Sequence, residues 1–331
     1  MRTNLCALLG VEVPVIHASL GPWSSVELAA AVSNAGGLGS LGTAVRSADA
    51  VRDDIARMRE LTDRPFAVNH TFRPLDEQAF AFTLEARPLV VSVALGDPKD
   101  LVARVHDAGS LFMQQIHTVE QAKRVADYGV DVIIAQGGEA GGFGGTVSTM
   151  ALVPQVVDAV DPIPVVAAGG IADGRGLAAA LVLGAQGINI GTRFLASSEA
   201  STVADAWRQA ILQAHSQDAV KVEFANEVLP PLSPGGFADA RPRVLRTPFV
   251  EHWNQRLDAV HQQAERPPAE VMAALGEGRL HELVPFTGQS VGLVRDVLPA
   301  AEIVRRLVVE AEAALAAMAG PTLDGKGAGR A

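Results

Sequence analysis

Six glycines stand among the ten residues QGGEAGGFGG, at 137, 138, 141, 142, 144 and 145. A loop so poor in side chains gains little by folding against itself. What it offers is bare backbone, able to approach a flat ligand or a phosphate closely. Gln136 and Glu139 give the same loop two polar handles. Two further turns share this character: Gly169–Gly170 follows the apolar run IPVVAA (163–168), and Gly191–Thr192 follows GINI (187–190). Backbone N–H groups at such turns bind anions, Thr192 can add a hydroxyl donor, and Asp173 is placed to cap the next helix. A third set is polar: His17, Asn69, His70, Gln114 and Gln136 end or nearly end apolar runs. Asn69 and Gln136 carry amides that both donate and accept, which suits the pyrimidine edge of a flavin. A lone histidine is more often a satisfied structural residue, but several polar ends pointing into one mouth could meet a ligand.

These residues need elements to hold them together. Eight short apolar runs alternate with helix-length segments: 13–18, 38–41, 65–70, 88–93, 110–115, 131–136, 163–168 and 187–190. Their β-branched residues read as strands buried on both faces, and eight βα units suggest a closed (β/α)8 barrel, a TIM barrel, more than an open sheet. In such a barrel the loops after the strands build the active site, and those after strands seven and eight commonly hold a phosphate. Ser24 or Ser25 reads as the cap of the helix that ends at Gly36–Gly37. Further helices are expected near 47–61, 198–214 and 299–319, the last closing the barrel as its eighth helix. The rhythm stops between them: 215–250 reads as irregular, with LPPLSPGG (229–236) as a loop or lid, and 251–283 as helical, broken at Pro267–Pro268. The division expected is a barrel of 1–214 and 285–320, a mostly helical lid or insertion of 215–284 over the mouth, and a disordered Gly-rich tail of 321–331.

Composition narrows the chemistry. A net charge of −10 without a Lys/Arg cluster argues against nucleic acid. The single Cys6 rules out an internal disulfide and any Cys cluster for zinc, so no metal is expected and Cys6 reads as a buried small hydrophobe. No apolar run reaches the length of a membrane span, and Glu12 and Pro14 break the N-terminal apolar stretch, so the expectation is a cytoplasmic protein. Oligomeric state is not fixed by any of this.

The chain resembles the nitronate monooxygenase (2-nitropropane dioxygenase) family in ELAAAVSNAGGLGSLG (27–42), FAVN (66–69), QGGEAGG (136–142), GQSVGLVRDVLPAAEIV (288–304) and, most specifically, the block from Pro164 to Ala200. The resemblance implies an FMN-dependent TIM barrel with cofactor contacts at Ala18, Ser19, Asn69, Gln136, Gly141, Gly142, Gly169, Gly170, Asn189, Ile190, Gly191 and Thr192. Relatives usually carry a histidine acting on substrate where this chain has Phe143, and Gln-Ala-Pro-Met where it has His17, Ala18, Ser19, Leu20. Proton abstraction, if it occurs, must fall to His17, His70 or, third, Glu139. Three activities follow: oxidation of alkyl nitronates with O2, which needs no base from the protein; NAD(P)H-dependent reduction of a quinone or an enone or enoyl substrate; or FMN binding without efficient catalysis. No G-x-G-x-x-G opens a βαβ unit, so a separate nicotinamide module is not expected.

Overall fold

The computed structural model describes residues 1–72, 75–225, 240–261 and 268–318. Its strands in chain order are β1 (Val15–His17), β2 (Gly39–Gly42), β3 (Phe66–Thr71), β4 (Val90–Ala94), β5 (Leu111–Ile116), β6 (Val132–Gln136), β7 (Gly142–Gly144), β8 (Val165–Ala168), β9 (Gly187–Ile190), β10 (Ala219–Lys221) and β11 (Arg241–Leu245). Eight of them, β1–β6, β8 and β9, pair in parallel in the order β1-β9-β8-β6-β5-β4-β3-β2. A bridge between Ile16 and Leu38 joins β1 to β2 and closes the ring. The result is a (β/α)8 barrel, and each expected strand lies within two residues of its place.

Parity along the strands sorts the core into two layers. Ile16, Ala67, Val90, Met113, Val132, Ile134, Val166 and Ala168 form one buried cluster inside the barrel, joined by Leu5 and Cys6 of the first helix α1 (Asn4–Leu8) and by Leu9 just after it. Their neighbours Val15, Val91, Phe112, Ile133, Val165 and Ala167 belong to the outer layer, under the helices. Cys6 is a free, buried thiol.

The helices start where the sequence supplies caps. Ser25 accepts from Leu28 N–H at the head of α2 (Val26–Asn34), and Ser47 from Ala50 N–H at the head of α3 (Ala48–Leu61). Asp76 and Thr118 do the same for α4 (Glu77–Ala86) and α6 (Val119–Asp127); between these lies α5 (Leu101–Asp107). Such caps each contribute about 1 kcal/mol. After β7 follow α7 (Thr149–Val160), α8 (Gly174–Val182), α9 (Thr192–Leu195) and α10 (Asp205–Gln213). The final helix, α15 (Ala300–Met318), lies against α8 so closely that a Cβ on Gly174 would come within 2.3 Å of Glu310 Cβ.

The segment between departs from its expected character. It holds helices α11 (Pro248–Asn254), α12 (Leu257–His261), α13 (Pro268–Gly276) and α14 (Leu280–Leu283), but also two strands where irregular chain was expected. β11 pairs antiparallel with β10 on one side and with β7 on the other, so Arg241, Pro242 and Arg243 face Gly144, Phe143 and Gly142. The glycine loop after β6 thus finds partners in the insertion. Short length, Pro242 and two glycines hid this sheet from the sequence pattern. LPPLSPGG, Pro267 and the tail 321–331 lie outside the described residues. No helix among the described residues is long and apolar enough to cross a membrane.

Candidate active site

A cavity of about 200 Å³ opens at the C-terminal end of the strands. All twelve residues singled out for cofactor contact border it: Ala18, Ser19, Asn69, Gln136, Gly141, Gly142, Gly169, Gly170, Asn189, Ile190, Gly191 and Thr192. They come from five separate βα loops. What brings them together is strand parity and the common end of a parallel barrel.

One end of the cavity is made of backbone. Gly169 and Gly170 turn with φ of +103° and +74°, values that side-chain-bearing residues rarely adopt. A Cβ on Gly170 would meet only the Glu139 side chain, at 3.7 Å, so the turn faces open space. The N–H groups of Gly170 and Gly191 donate to no acceptor among the described residues. The head of α8 is closed, by contrast: Asp173 accepts from Arg175 and Gly176 N–H, as expected of it, and Glu310 accepts from Gly174 N–H. An anion can therefore be held here by the two glycine turns and not by that helix. Thr192 Oγ1 accepts from Gly288 N–H at 2.9 Å, which leaves its own proton free to donate into the cavity.

The middle is lined by amides. Asn69 accepts from Ser19 Oγ at 2.8 Å and donates to Ser92 Oγ at 2.9 Å, so its orientation is set from both sides. Asn189 Oδ1 is buried without a protein partner, and such an orphan beside a cavity marks a place for a ligand donor. Gln136 Oε1 accepts from Gln115 Nε2 at 3.1 Å and His117 Nε2 at 3.0 Å. Gln114, one of the expected polar ends, turns outward and donates to the carbonyls of Gly96 and Gln115. Its neighbour Gln115 borders the cavity instead, because Met113 and Gln115 share the inward parity. Free glycine N–H groups, an orphaned Asn189 carbonyl and fixed amides fit a flavin phosphate and ring edge.

The far end is aromatic. Phe143 of β7 meets Phe286 edge-on at 5.8 Å, and Phe286 meets Trp23 edge-on at 5.2 Å. Trp23 in turn packs on Trp207, whose Nε1–H donates to Thr287 Oγ1 at 3.1 Å. Phe286 and Trp23 were not singled out in the sequence, since they lie far from Phe143 along the chain and only the fold joins them.

Two of the proposed bases are hydrogen-bonded elsewhere, and the third, His17, is buried with no hydrogen-bond partner for either ring nitrogen among the described residues. His70 points away from the cavity: its Nε2–H donates to Thr83 Oγ1 at 3.0 Å, Thr43 Oγ1 lies 3.2 Å from Nδ1, and its ring packs edge-on against Phe80. Inward Asn69 dictates that, since successive residues of a strand face opposite ways. Burial pushes its pKa down to about 4. His17 ends β1 at the cavity rim, but it shares the outward parity of Val15, and its fully buried ring packs edge-on against Phe194 at 5.3 Å. Burial lowers its pKa to about 3. Glu139 is held by Thr149, accepting from its N–H at 2.9 Å and its Oγ1 at 2.9 Å. Among the described residues the cavity wall contains no Asp, Glu, Lys, Arg, Cys or Tyr.

Comparison with known proteins accords with this site. The model of the family described as nitronate monooxygenase matches residues 2–82 and 70–310. The chain is 40% identical over 254 residues, 76% of its length and 68% of the relative's, to (3aS,4S,5R,7aS)-5-hydroxy-7a-methyl-1-oxo-octahydro-1H-indene-4-carboxyl-CoA dehydrogenase of Mycobacterium tuberculosis. To the protein of the same name in Rhodococcus jostii it is 35% identical, with 94% of this chain and 96% of that one covered. Among solved structures, FabK from Thermotoga maritima superposes with a TM-score of 0.84 at 32% identity, covering 97% of this chain and 99% of that one. The glycine cradle, the fixed amides and these likenesses lead to one conclusion: the chain belongs to the nitronate monooxygenase family and is a flavin-dependent oxidoreductase.

Proposed function

We propose that the protein binds FMN in this cavity and reduces an activated C=C bond of an acyl thioester with electrons from NAD(P)H. The observation that carries this reading is the pairing of an aromatic wall with the absence of any carboxylate, lysine, cysteine or tyrosine among the described lining residues, whose one histidine, His17, is buried against Phe194. Gly170, Gly191 and Thr192 would hold the phosphate, and Asn69, Gln136 and Asn189 the ring edge. The site offers one phosphate cradle, which suits FMN over FAD. When bound, FMN would take a hydride from NAD(P)H and pass it to the carbon β to the thioester carbonyl. The α-carbon then needs a proton, which water at the open mouth can supply. The reverse dehydrogenation would need a side chain to take that proton, whereas His70 and Glu139 are hydrogen-bonded elsewhere and the His17 ring is buried against Phe194. Phe143, Phe286 and Trp23 suit a bulky apolar acyl group, and two relatives are named as dehydrogenases of a carboxyl-CoA.

Oxidation of an alkyl nitronate with O2 is the second reading, favoured by the same missing base, because a nitronate is already the anion. Anaerobic mixing separates them. NADH or NADPH should bleach the flavin absorbance and an enoyl-CoA should restore it; bleaching by propyl-2-nitronate, with none by either nicotinamide, would establish the second reading over the first. Mass spectrometry of the ligand released on denaturation should give FMN, and FAD would refute the cradle assignment.

A further inference from the structure

Gln136 is gripped by Gln115, which shares the cavity wall, and from behind by His117, which lines no part of it. His117, in the turn after β5, is 3% exposed, and its backbone N–H donates to Gln121 Oε1 at 2.7 Å. The strand-six loop lies directly on it: a Cβ on Gly145 would come within 2.8 Å of His117 Cβ. Its Nε2 sits 3.0 Å from Gln136 Oε1, and Gln115 Nε2 reaches the same oxygen at 3.1 Å. Two donors on the carbonyl oxygen leave the Gln136 N–H2 as the end available to the cavity.

Lys221 comes to this place from the insertion. It stands at the end of β10, and its Nζ donates to Gly144 O at 3.1 Å and Arg241 O at 2.9 Å. A Cβ on Gly144 would lie 3.0 Å from Gln136 Oε1 and 3.7 Å from Lys221 Nζ, so amide and ammonium border the same point. The charged groups around Lys221 are Arg241 and Arg243 of β11, Glu223 beyond β10 and Glu139 of the strand-six loop, with His117 also within its field.

We propose that His117 is a positioning residue that turns the Gln136 N–H2 toward the flavin ring, and that Lys221 is a cation the insertion supplies behind that amide, favouring the reduced, more negative flavin. The inference rests on the FMN reading above. Burial, with Arg243 beside it, lowers the Lys221 pKa to about 8, so this charge is present below pH 8 and fades above it. Electron affinity of the cofactor would thereby depend on a residue outside the barrel.

The test measures FMN dissociation and the two-electron midpoint potential of the reconstituted full chain. His117→Phe keeps the ring and deletes the N–H; it should raise the FMN dissociation constant about tenfold, the effect of one buried hydrogen bond. His117→Gln restores a donor and should stay within about threefold of wild type. If His117→Phe does not fold, Gln136→Met makes the same comparison and should show the same loss. Lys221→Met should weaken binding of reduced relative to oxidised FMN about tenfold, which lowers the potential by about 30 mV for a two-electron couple. It should also abolish a steepening of the wild-type potential–pH curve above pH 8. Equal losses in His117→Phe and His117→Gln would mean the role is merely structural and would overturn the positioning claim. An unchanged potential in Lys221→Met would overturn the charge claim. Wild-type protein that binds no FMN would sink the cofactor reading and the inference with it, whereas normal FMN binding with unmoved variants would sink the inference alone.

Discussion

The two ends of the cavity are built from different materials. The end around Gly169–Gly170 and Gly191–Thr192 is backbone, held by φ values that few residues besides glycine adopt and by the ends of β8 and β9. The end around Phe143, Phe286 and Trp23 is side chain, gathered from the strand-six loop, the chain following the insertion and the turn after β1. Backbone recognises what every member of a flavin family shares, a phosphate. Side chains recognise what differs, the substrate. Substitutions at one end should therefore abolish cofactor binding, and at the other should change which molecule is processed.

The sharpest break is Gly170→Asp. It forces a β-carbon onto a φ of +74° and sets a carboxylate where the proposed FMN phosphate would sit. FMN affinity should fall about 100-fold or more, a loss of roughly 3 kcal/mol from lost charge-assisted bonds and added repulsion. Titration of the apoprotein with FMN measures it, and a yellow Gly170→Asp protein would place the phosphate elsewhere.

Next is Phe143→His, which puts a base into the aromatic end. Turnover of a neutral nitroalkane should rise about 100-fold relative to its preformed nitronate, the lower range for an added general base. Equal changes in kcat/KM for both substrates would mean that this position does not govern proton removal. His17→Ala and His70→Ala should leave that substrate ratio within about twofold, since the His70 ring points away from the cavity and the His17 ring is buried against Phe194.

Those two histidines should instead show in stability. Both are buried neutral, with pKa about 3 and about 4 against 6.5 when unfolded. Below pH 6.5 the unfolded chain takes up protons that the folded one refuses, so stability falls as pH drops from 6.5 towards 4. Each should contribute a loss on the order of 2 kcal/mol at pH 5 relative to pH 7.5. Urea midpoints at the two pH values, in wild type and His70→Asn, check it: the variant should lose part of the pH dependence. The smallest effect is Phe286→Ala, which removes two edge-on ring contacts. KM for an apolar thioester should rise about tenfold with the FMN dissociation constant unchanged. A matching loss of FMN would erase the distinction between the two ends.

The same contrast explains what was legible in the residues. Glycine announces its purpose locally, so Gly169–Gly170, Gly191 and the loop 136–145 could be found without knowing the fold. The eight barrel strands were equally plain, because strands buried on both faces are continuous β-branched runs. Phe286, Trp23 and His117 carried no local signal. His70 and Gln114 turn away from the cavity for a simpler reason: polar residues at strand ends alternate in direction, and a one-residue difference in parity sends a side chain to the cavity or to the helix layer. The β10–β11–β7 sheet was hidden because its members are three to five residues long and one is mostly glycine.

Closure of the barrel has a consequence for how the protein meets its own copies. With β1 bonded to β9 and bridged to β2, the large sheet has no free strand flank, so nothing in it can template pairing with another chain. Among the described residues, free flanks are confined to the small antiparallel sheet, where β7 offers only three residues, two of them glycine, and β10 offers three that end in Lys221. Short, glycine-rich and charged flanks are poor seeds for self-association. Where the protein does aggregate after partial unfolding, release of β11 from β7 and β10 is the step that should precede it.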